Sequence, residues 1–510
     1  MAKYIFTTGG VVSGLGKGII AASLGRLLIN RGLRITILKL DPYMNVYPGI
    51  LDPLEHGEIF VTDDGAETDL DLGHYERFLG INFNQGSSRS SGQIYTTVRE
   101  RELNGEYKGK SVQIVPHVTN EIINSMKEVG KGHEIVIVEI GGTVGDIEQM
   151  PHIEAIRQFR KQLGDKNSIS IHVTLVPYLE CSNEIKTKPT QASVKELSQM
   201  GIQPDIVVCR TNKNVKLDVA TRKKIAMFCN LDNERMVMHC PDANSIYEVP
   251  VVIKDQKLDE IILEKFGLVA HEDYLAEWNK MLAKMMTPHP EKTVAIVGKH
   301  TAMPDAYLSV TEALKHAGFN NEISIKTKLV DVRKDMEKEL NNVDAVVMPV
   351  GFGPENNEGM IHAIKYAREN KIPFVGICSG FQMAAIEFAR NVLGLENANS
   401  TKFDENTPYP VLIKKDTQRL GKYDCTTLDG KTTQERHRHW NEFNNDFRKQ
   451  FEDSGFKTIG INKKLDTVEM MKLDNHPYFV TTMFHPEFLS RPYAPHSIFV
   501  GLVNAIKENK

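Results

Sequence analysis

The chain has 510 residues, of which 41% are hydrophobic and 25% are charged, and its formal net charge is −4. This length allows two or three domains with separate cores, and without a basic excess neither nucleic acid nor an anionic membrane is favoured as a partner. The six cysteines are scattered without C-x-x-C pairs, and no apolar run reaches the roughly 20 residues that span a bilayer. We therefore expect a cytoplasmic α/β protein without a zinc site or a disulfide framework.

The first 265 residues alternate short β-rich runs with helical stretches, which favours a doubly wound parallel sheet. Its predicted buried strands are Tyr4–Thr7, Arg34–Leu38, Ile135–Glu139, Ile169–Val176 and Asp205–Cys209. EDYLAEWNKMLAKMM then predicts a connecting helix, and a second alternating unit begins at Thr293. The sequence thus predicts two α/β domains, over residues 1–265 and 293–510, joined by a helical linker over 266–292.

A glycine-rich turn, GGVVSGLGKG at residues 9–18, follows the first predicted strand and precedes a helix. Such a turn presents backbone N–H groups and a helix N-terminus to an anion, with Lys17 in reach of the β- and γ-phosphates. The turn departs from G-x-x-x-x-G-K-[ST], because Val11 replaces the first glycine and Gly18 replaces the hydroxyl that holds Mg²⁺. A tight turn that needs glycine only for packing is the alternative interpretation.

Mg²⁺ must then take its oxygen ligands from elsewhere, and carboxylates are the usual choice. Two acidic stretches offer them, DDGAETDLDLG at 63–73 and VEIGGTVGDIE at 138–148. Glu139 ends an apolar strand, where an unpaired carboxylate is costly unless it faces a metal or a polar cleft. Four lysines are predicted at one edge of the sheet, Lys17, Lys39, Lys186 and Lys188. Together they suggest more phosphate than one nucleotide carries, whereas each alone is consistent with a surface lysine.

The second unit contains FVGICSGFQ, a strand, a sharp turn and a helix with Cys378 at the turn. This nucleophile elbow presents a thiol at a helix N-terminus, where its pKa is lowered. FHPEF supplies His485 and Glu487 as a base and its orienter, and MPVGFG at 348–353 offers a backbone N–H for an oxyanion hole. A lone buried cysteine is more often structural, but the elbow together with H-P-E is specific for class I glutamine amidotransferases.

Long segments of the chain occur in the order TTGGVVSGLGKGIIAASLG, KLDPYMNV, HGEIFVTDDGAETDLDLGHYERF, VEIGGTVGDIE, KTKPTQASVKEL, GIQPDIVVCR, GICSGFQ, ERHRH and FHPEF. Together they resemble the CTP synthase family over nearly the whole chain. The resemblance implies an N-terminal P-loop-like amidoligase domain of the dethiobiotin-synthetase type and a C-terminal class I glutamine amidotransferase domain. It also implies that ATP, with Mg²⁺, phosphorylates O4 of UTP and that ammonia then displaces phosphate to give CTP.

The resemblance also implies roles for individual residues. The ATP phosphates would be held by Ser13, Gly14, Leu15, Gly16, Lys17, Gly18 and Ile19, and the adenine side by Arg210 and Asp242. UTP, or CTP in an overlapping pocket, would be held by Ser13, Asp146, Ile147, Glu148, Lys186, Lys188, Gln191 and Lys224. The catalytic residues would be Lys17, Lys39, Cys378, His485 and Glu487, and the Mg²⁺ ligands Asp71 and Glu139. CTP feedback would involve His117 and Glu154, and the ammonia gate Pro53, His56 and Ile59.

The residues that would recognise glutamine are Gly351, Ser379, Gln382, Lys402 and Trp440, and among them the chain departs from the family at Lys402 and Trp440. STEF reads STKF, so Lys402 stands where a carboxylate should meet the α-ammonium of glutamine. RHRHR reads RHRHW, so Trp440 replaces the arginine that should clamp the glutamine carboxylate, and PGGFGxRG reads PVGFGPENNEG. Losing a charge-assisted hydrogen bond costs roughly 1.5–3 kcal/mol, and a repulsive replacement costs more. We expect impaired glutamine hydrolysis; the alternative is that compensating residues restore binding.

The stretch between YPVLIKK and QRLGKYD is shorter than in the family. In the family this stretch carries a loop near the lid at which GTP activates. We therefore do not expect ordinary activation by GTP. We expect a synthase that works mainly from free ammonia, and the family implies homotetramers that can stack into filaments. One alternative is a paralogue that aminates a UTP analogue or uses another amine donor. A second is a structural or regulatory filament subunit, although retention of Lys17, Lys39, Asp71 and Glu139 argues against it.

Overall fold

The structure is a computed structural model that describes residues 2–269, 271–272, 275–351 and 355–508. The chain divides into two compact units, one formed by residues 1–48 and 74–282 and the other by residues 49–73 and 283–510. The bounds expected from the sequence assign residues 49–73 to the first domain, whereas the structure groups them with the second unit. The linker expected over 266–292 contains a helix at Ala276–Met286; Asp273 and Tyr274 of the same stretch lie outside the described residues.

Strands and helices alternate along most of the described chain. The strands are β1 (Lys3–Gly9), β2 (Ile35–Asp41), β3 (Phe60–Val61), β4 (Glu67–Thr68), β5 (Ser88–Ser90), β6 (Ile135–Ile140), β7 (Ser168–Leu175), β8 (Tyr178–Leu179), β9 (Glu184–Ile185), β10 (Ile206–Thr211), β11 (Val237–Pro241), β12 (Glu291–Gly298), β13 (Ser324–Asp331), β14 (Ala345–Met348), β15 (Phe374–Ile377), β16 (Asn399–Ser400), β17 (Pro410–Thr427), β18 (Thr432–Phe443), β19 (Phe456–Asn462), β20 (Thr467–Leu473) and β21 (Phe479–Thr482).

The α-helices are α1 (Lys17–Asn30), α2 (Pro53–His56), α3 (Asp71–Leu79), α4 (Ser91–Leu103), α5 (Thr119–Val129), α6 (Met150–Leu163), α7 (Lys188–Gln199), α8 (Val219–Phe228), α9 (Val249–Asp255), α10 (Leu258–Phe266), α11 (Ala276–Met286), α12 (Leu308–Asn320), α13 (Met336–Leu340), α14 (Asn357–Glu369), α15 (Ser379–Asn391), α16 (Arg448–Asp453) and α17 (Ser497–Glu508). Within the described residues, none of these helices combines the length and the apolar character needed to cross a membrane.

The first unit is built on a seven-stranded parallel sheet in the order β11-β10-β7-β1-β6-β2-β5. The five strands predicted from apolar runs are its interior strands, because burial on both faces requires an apolar sequence. The edge strands β5 and β11 were not predicted, since an edge strand is short and less constrained in composition. The carboxyl ends of parallel strands meet at one edge of the sheet, which is where ligands bind in such folds.

The second unit is built on a ten-stranded mixed sheet. The parallel strands β13-β12-β14-β15-β21 continue into the antiparallel strands β20, β19 and β17, and β17 also pairs with β16 and with β18. Separate apolar clusters cover the sheet, one containing Phe374 and Phe381 and another containing Val375 and Phe499. Where the sequence indicates a shortened loop, β17 continues as one strand, and its pairing with β18 shifts register between Lys414 and Arg419.

Residues 49–73 group with the second unit because buried polar contacts hold them there. The Glu58 carboxylate accepts the backbone N–H of Ser309 at 2.7 Å. Asp63 accepts from the fully buried Arg436 guanidinium at 2.7 Å. Buried charge-assisted hydrogen bonds of this kind are stronger and shorter than neutral ones. The segment is therefore an integral part of the second unit.

Candidate active sites

The glycine-rich turn connects β1 to α1, as predicted. Lys17 begins the helix, and its buried ammonium donates to the carbonyl of Gly142 at 2.8 Å. A Cβ atom on Gly9 would lie 2.6 Å from Cδ of Lys17, so glycine at this position leaves room for the lysine stem. Gly16 has a φ of 79°, in the left-handed region that glycine adopts without strain. The turn thus presents a helix N-terminus and a positioned lysine, the arrangement that binds phosphate.

Lys39 and Glu139 form a buried ion pair at the ends of neighbouring strands. They lie opposite each other on β2 and β6, with the ammonium 3.3 Å from the carboxylate. The Tyr75 hydroxyl donates to the second oxygen of Glu139, and Lys39 is also 3.6 Å from the Asp41 carboxylate. Tyr75 and Asp41 were not singled out from the sequence, although each lies in a segment that carries the family resemblance. A buried carboxylate is tolerated here because donors surround it.

The predicted Mg²⁺ ligands fall in different units, so each is described separately. Asp71 is partly exposed at the first position of α3, and Glu139 is buried at the end of β6. Among the residues that the structure describes, no three or more His, Cys, Asp or Glu side chains converge on a metal position. Mg²⁺ usually takes one or two carboxylates and completes its shell with water and substrate phosphates. Each residue supplies a carboxylate oxygen, a ligand type that Mg²⁺ accepts, and their assignment as its ligands stays a prediction.

A buried histidine that was not singled out from the sequence lies beside the phosphate loop. His172 on β7 makes hydrogen bonds with Thr8 Oγ1 at 2.9 Å and with Ser193 Oγ at 2.8 Å. Complete burial, together with the positive charge of Lys17, lowers the pKa of His172 to about 3. The neutral imidazole thus links β1, immediately before the loop, to α7. The sequence feature that could have identified this histidine is its position inside the apolar strand SISIHVTL.

The residues predicted to hold UTP or CTP lie on several segments of the first unit. Asp146, Ile147 and Glu148 form an exposed stretch before α6, Lys186, Lys188 and Gln191 lie at and before the start of α7, and Lys224 is exposed on α8. Local partners hold two of these side chains. Lys186 pairs with Glu184, and Gln191 donates to the Thr187 hydroxyl at 3.0 Å.

Of the other predicted nucleotide residues, one pair is in direct contact. The Arg210 guanidinium is 2.6 Å from the Asp242 carboxylate, so the two residues predicted for the adenine side lie together. For the two predicted feedback residues, no hydrogen bond between His117 and Glu154 occurs in the described part of the chain. Glu154 instead pairs with Arg157 at 2.7 Å.

The Cys378 turn has the geometry of a nucleophile elbow. Cys378 lies between β15 and α15 with a φ of 54°, a strained value for a residue with a side chain. A Cβ atom on Gly380 would lie 2.2 Å from the carbonyl of Met348, so the turn requires glycine there. The thiol is 3% exposed, and it lies 3.6 Å from the carbonyl oxygen of Arg438.

His485 and Glu487, predicted to be a base and its orienter, are in contact with each other. Nδ1 of His485 is 2.8 Å from the Glu487 carboxylate, and both side chains are buried. Nε2 of His485 has no hydrogen-bond partner within the described residues. Burial alone would lower the pKa of His485, but the negative charges of Glu487 and of the Cys378 thiolate raise it to about 10. The imidazolium is therefore favoured when the thiol is ionised.

A cavity of about 310 Å³ opens beside Cys378. The residues predicted to recognise glutamine all line it: Gly351, Ser379, Gln382, Lys402 and Trp440. The backbone N–H of Gly351 donates to the Ser379 hydroxyl at 2.6 Å, so in this structure it is not available to an oxyanion. Phe352, Gly353 and Pro354 of the predicted oxyanion segment lie outside the described residues.

A second, enclosed cavity of about 20 Å³ lies on the His485 side of the site. This volume suits roughly one water-sized molecule. Pro53 and Ile59 of the predicted ammonia gate line it together with His485. His56 does not line it and is exposed at the end of α2. Arg438 borders both cavities, and its side chain donates to the Glu67 carboxylate at 2.6 Å, a pairing that was not predicted from the sequence.

A parallel sheet with a phosphate loop, combined with a Cys–His–Glu elbow domain, defines a nucleotide-binding amidotransferase. Residues 3–268 match the family model described as CTP synthase N-terminus, and residues 302–505 match the model described as Glutamine amidotransferase class-I. The chain therefore belongs to the CTP synthase family, and it is an amidoligase enzyme.

Two curated relatives agree with this assignment. The chain is 48% identical to the CTP synthase of Bacillus subtilis, with 100% of this chain and 99% of that protein covered. It is 49% identical to the CTP synthase of Clostridium acetobutylicum, with 98% and 97% covered. A solved structure described as the Trypanosoma brucei CTPS glutaminase domain with bound acivicin is 26% identical, with a TM-score of 0.41, over 43% of this chain and 95% of that chain.

Proposed function

We propose that this chain catalyses the ATP-dependent amination of UTP to CTP through a 4-phosphorylated UTP, with ammonia as the nucleophile. The observation that carries the proposal is the phosphate cradle, in which Lys17 is held by the Gly142 carbonyl at the start of α1. Full-length similarity to curated CTP synthases supports the choice of substrates.

The chemistry requires concentrated positive charge. O4 of UTP attacks the γ-phosphorus of ATP and ADP leaves; ammonia then adds to C4, and the C4–O bond breaks with release of phosphate. Lys17 and Lys39 would stabilise the negative charge spread over the transferring phosphoryl oxygens. Asp71 and Glu139 would hold Mg²⁺, which neutralises phosphate charge when bound. The residues predicted for ATP, for UTP or CTP, and for feedback take the roles implied by the family resemblance.

The nitrogen source follows from the second unit. Lys402 and Trp440 line the cavity where the family places a carboxylate and an arginine, and the Gly351 N–H is bonded to Ser379. We infer that glutamine is a poor donor and that free ammonia is the main one. The continuous strand β17 likewise supports a weak response to GTP. We further propose homotetramers of this chain.

The test follows CTP formation from UTP, ATP and Mg²⁺ with either ammonium chloride or glutamine. We expect product with ammonium chloride and much slower formation with low glutamine. Equal rates with both donors would contradict the impaired use of glutamine, and absence of product with both would contradict the proposed function. Lys17→Ala should abolish turnover with either donor. Cys378→Ala should abolish only turnover supported by glutamine.

A further inference from the structure

The cavity beside Cys378 has an unbalanced charge. Among its described lining residues, the one carboxylate is Glu67, and this carboxylate is bonded to the Arg438 guanidinium at 2.6 Å. The remaining cation is Lys402, whose exposed ammonium makes no ion pair or hydrogen bond within the described chain. Because Glu67 and Arg438 neutralise each other, the described wall of the cavity carries one uncompensated positive charge.

This charge distribution suits an anion better than a zwitterion. L-glutamine carries an α-carboxylate and an α-ammonium on the same carbon, so any position that brings its carboxylate to Lys402 also brings its ammonium towards a like charge. Like charges are repelled unless a second group compensates. The other described polar lining residues are uncharged: they include the amides of Gln382, Gln418 and Asn441, and the His439 imidazole, whose pKa is lowered well below its ordinary value by burial.

Trp440 adds an apolar surface to the same wall. Its side chain is 39% exposed and lines the cavity with Lys402 and Cys378. An indole face packs well against a short methylene chain. The volume of about 310 Å³ is at the lower end of ordinary ligand pockets, which is enough for a five-carbon amide.

We propose that this cavity binds a primary ω-amide that carries a carboxylate and no α-ammonium, and that Cys378 hydrolyses this amide to release ammonia. Lys402 pairs with the carboxylate, and Trp440 packs against the carbon chain. This inference rests on the proposed function, since the released ammonia is the nucleophile for the amination.

The hydrolysis uses the side chains of Cys378, His485 and Glu487. The Cys378 thiolate attacks the amide carbon, and the C–N bond breaks as the His485 imidazolium gives its proton to the leaving nitrogen, releasing ammonia and leaving a thioester. Water then attacks the thioester carbon while His485 accepts its proton, and the C–S bond breaks, which frees the acid and restores the Cys378 thiolate and the His485 imidazolium. Glu487, at 2.8 Å from the ring, orients His485 through both steps.

The test compares ammonia release from glutaramate, which is glutamine without its α-amino group, with release from L-glutamine. For the unaltered full-length protein we expect kcat/KM for glutaramate to exceed that for glutamine by at least about tenfold, which corresponds to 1.4 kcal/mol. Lys402→Glu should reverse the preference, and Lys402→Met, a neutral control of similar length, should reduce it. Cys378→Ala should abolish both hydrolyses.

Three results would each overturn the proposal: preference for glutamine in the unaltered protein, an undiminished preference for glutaramate in Lys402→Glu, or no hydrolysis of either amide. CTP formation from ammonium chloride is measured on every variant, because it depends on the first unit and reports on folding. If CTP forms from ammonium chloride but glutaramate is not preferred over glutamine, only the proposed ligand of the cavity is wrong. If CTP does not form from ammonia, the proposed function itself is wrong.

Discussion

The Arg438 side chain donates to the Glu67 carboxylate at 2.6 Å, while the backbone carbonyl of the same arginine lies 3.6 Å from the Cys378 thiol. Glu67 belongs to the segment 49–73, which is distant in sequence from the elbow but is part of the same unit. A Cβ atom on Gly49 would lie 2.0 Å from the Glu67 carboxylate, so this close approach depends on glycine. A residue near the N-terminus is thereby linked, through Arg438, to the predicted nucleophile of the second unit.

Glu67→Gln should therefore change the reactivity of the Cys378 thiol through Arg438. Removing the charge weakens a hydrogen bond between charged groups, a loss of about 1–3 kcal/mol, and leaves Arg438 with its 2.7 Å hydrogen bond to the Gly49 carbonyl. We expect alkylation of Cys378 by iodoacetamide to change several-fold, measured by mass spectrometry against the exposed Cys181 as an internal reference. Glu55→Gln, on an exposed residue of the same segment, is the control. Identical alkylation in the two variants would show that Glu67 does not position Cys378.

Gly10→Ala should disrupt the phosphate loop. A Cβ atom at this position would lie 1.7 Å from Ser193 Oγ, so either the loop or α7 must shift. We expect the KM for ATP to rise at least about tenfold in the ammonia-dependent reaction, since misplaced phosphate-binding groups lose binding energy. The double variant Gly10→Ala/Ser193→Gly removes the obstructing side chain and should regain most of the affinity. An equal rise in the KM for ATP in the single and double variants would show that the contact with Ser193 is not the cause.

His172 should make the protein sensitive to acid. Its pKa is lowered to about 3 in the folded chain, against an ordinary value of 6.5. Between these values the unfolded chain binds a proton that the folded chain does not, so stability falls as the pH drops from 6.5 towards 3. In His172→Gln this contribution is absent. Urea unfolding at pH 7 and pH 4.5 should therefore show a smaller loss of unfolding free energy in the variant than in the unaltered protein. Equal losses would show that His172 does not cause the acid sensitivity.

His485 should show the opposite dependence. Its pKa is raised to about 10 by Glu487 and the Cys378 thiolate, so the folded chain holds a proton that the unfolded chain releases above pH 6.5. The stability this provides is complete below pH 6.5 and is lost as the pH rises towards 10. An NMR titration of the ¹⁵N-labelled ring should show an imidazolium at neutral pH. In Glu487→Gln the titration midpoint of the His485 ring should move to lower pH. An unchanged midpoint would show that Glu487 does not raise the pKa of His485.

The sequence alone determined the fold class, the interior strands of the first sheet and the placement of Lys17 and Cys378 on sharp turns between a strand and a helix. These features depend on local patterns, because a buried parallel strand must be apolar and a tight turn must contain glycine. The roles of the other predicted site residues stay predictions, although the structure brings several of them together.

Only the tertiary structure decided which distant residues meet. The pairing of Lys39 with Glu139 depends on the order of strands in the sheet, and the contacts of His172 depend on how α7 packs against β7. The same holds for Glu67 and Arg438, which are separated by 371 residues. Such pairs leave no periodic signal, since the free energy that joins them comes from burial and charge complementarity that exist only after the chain has folded.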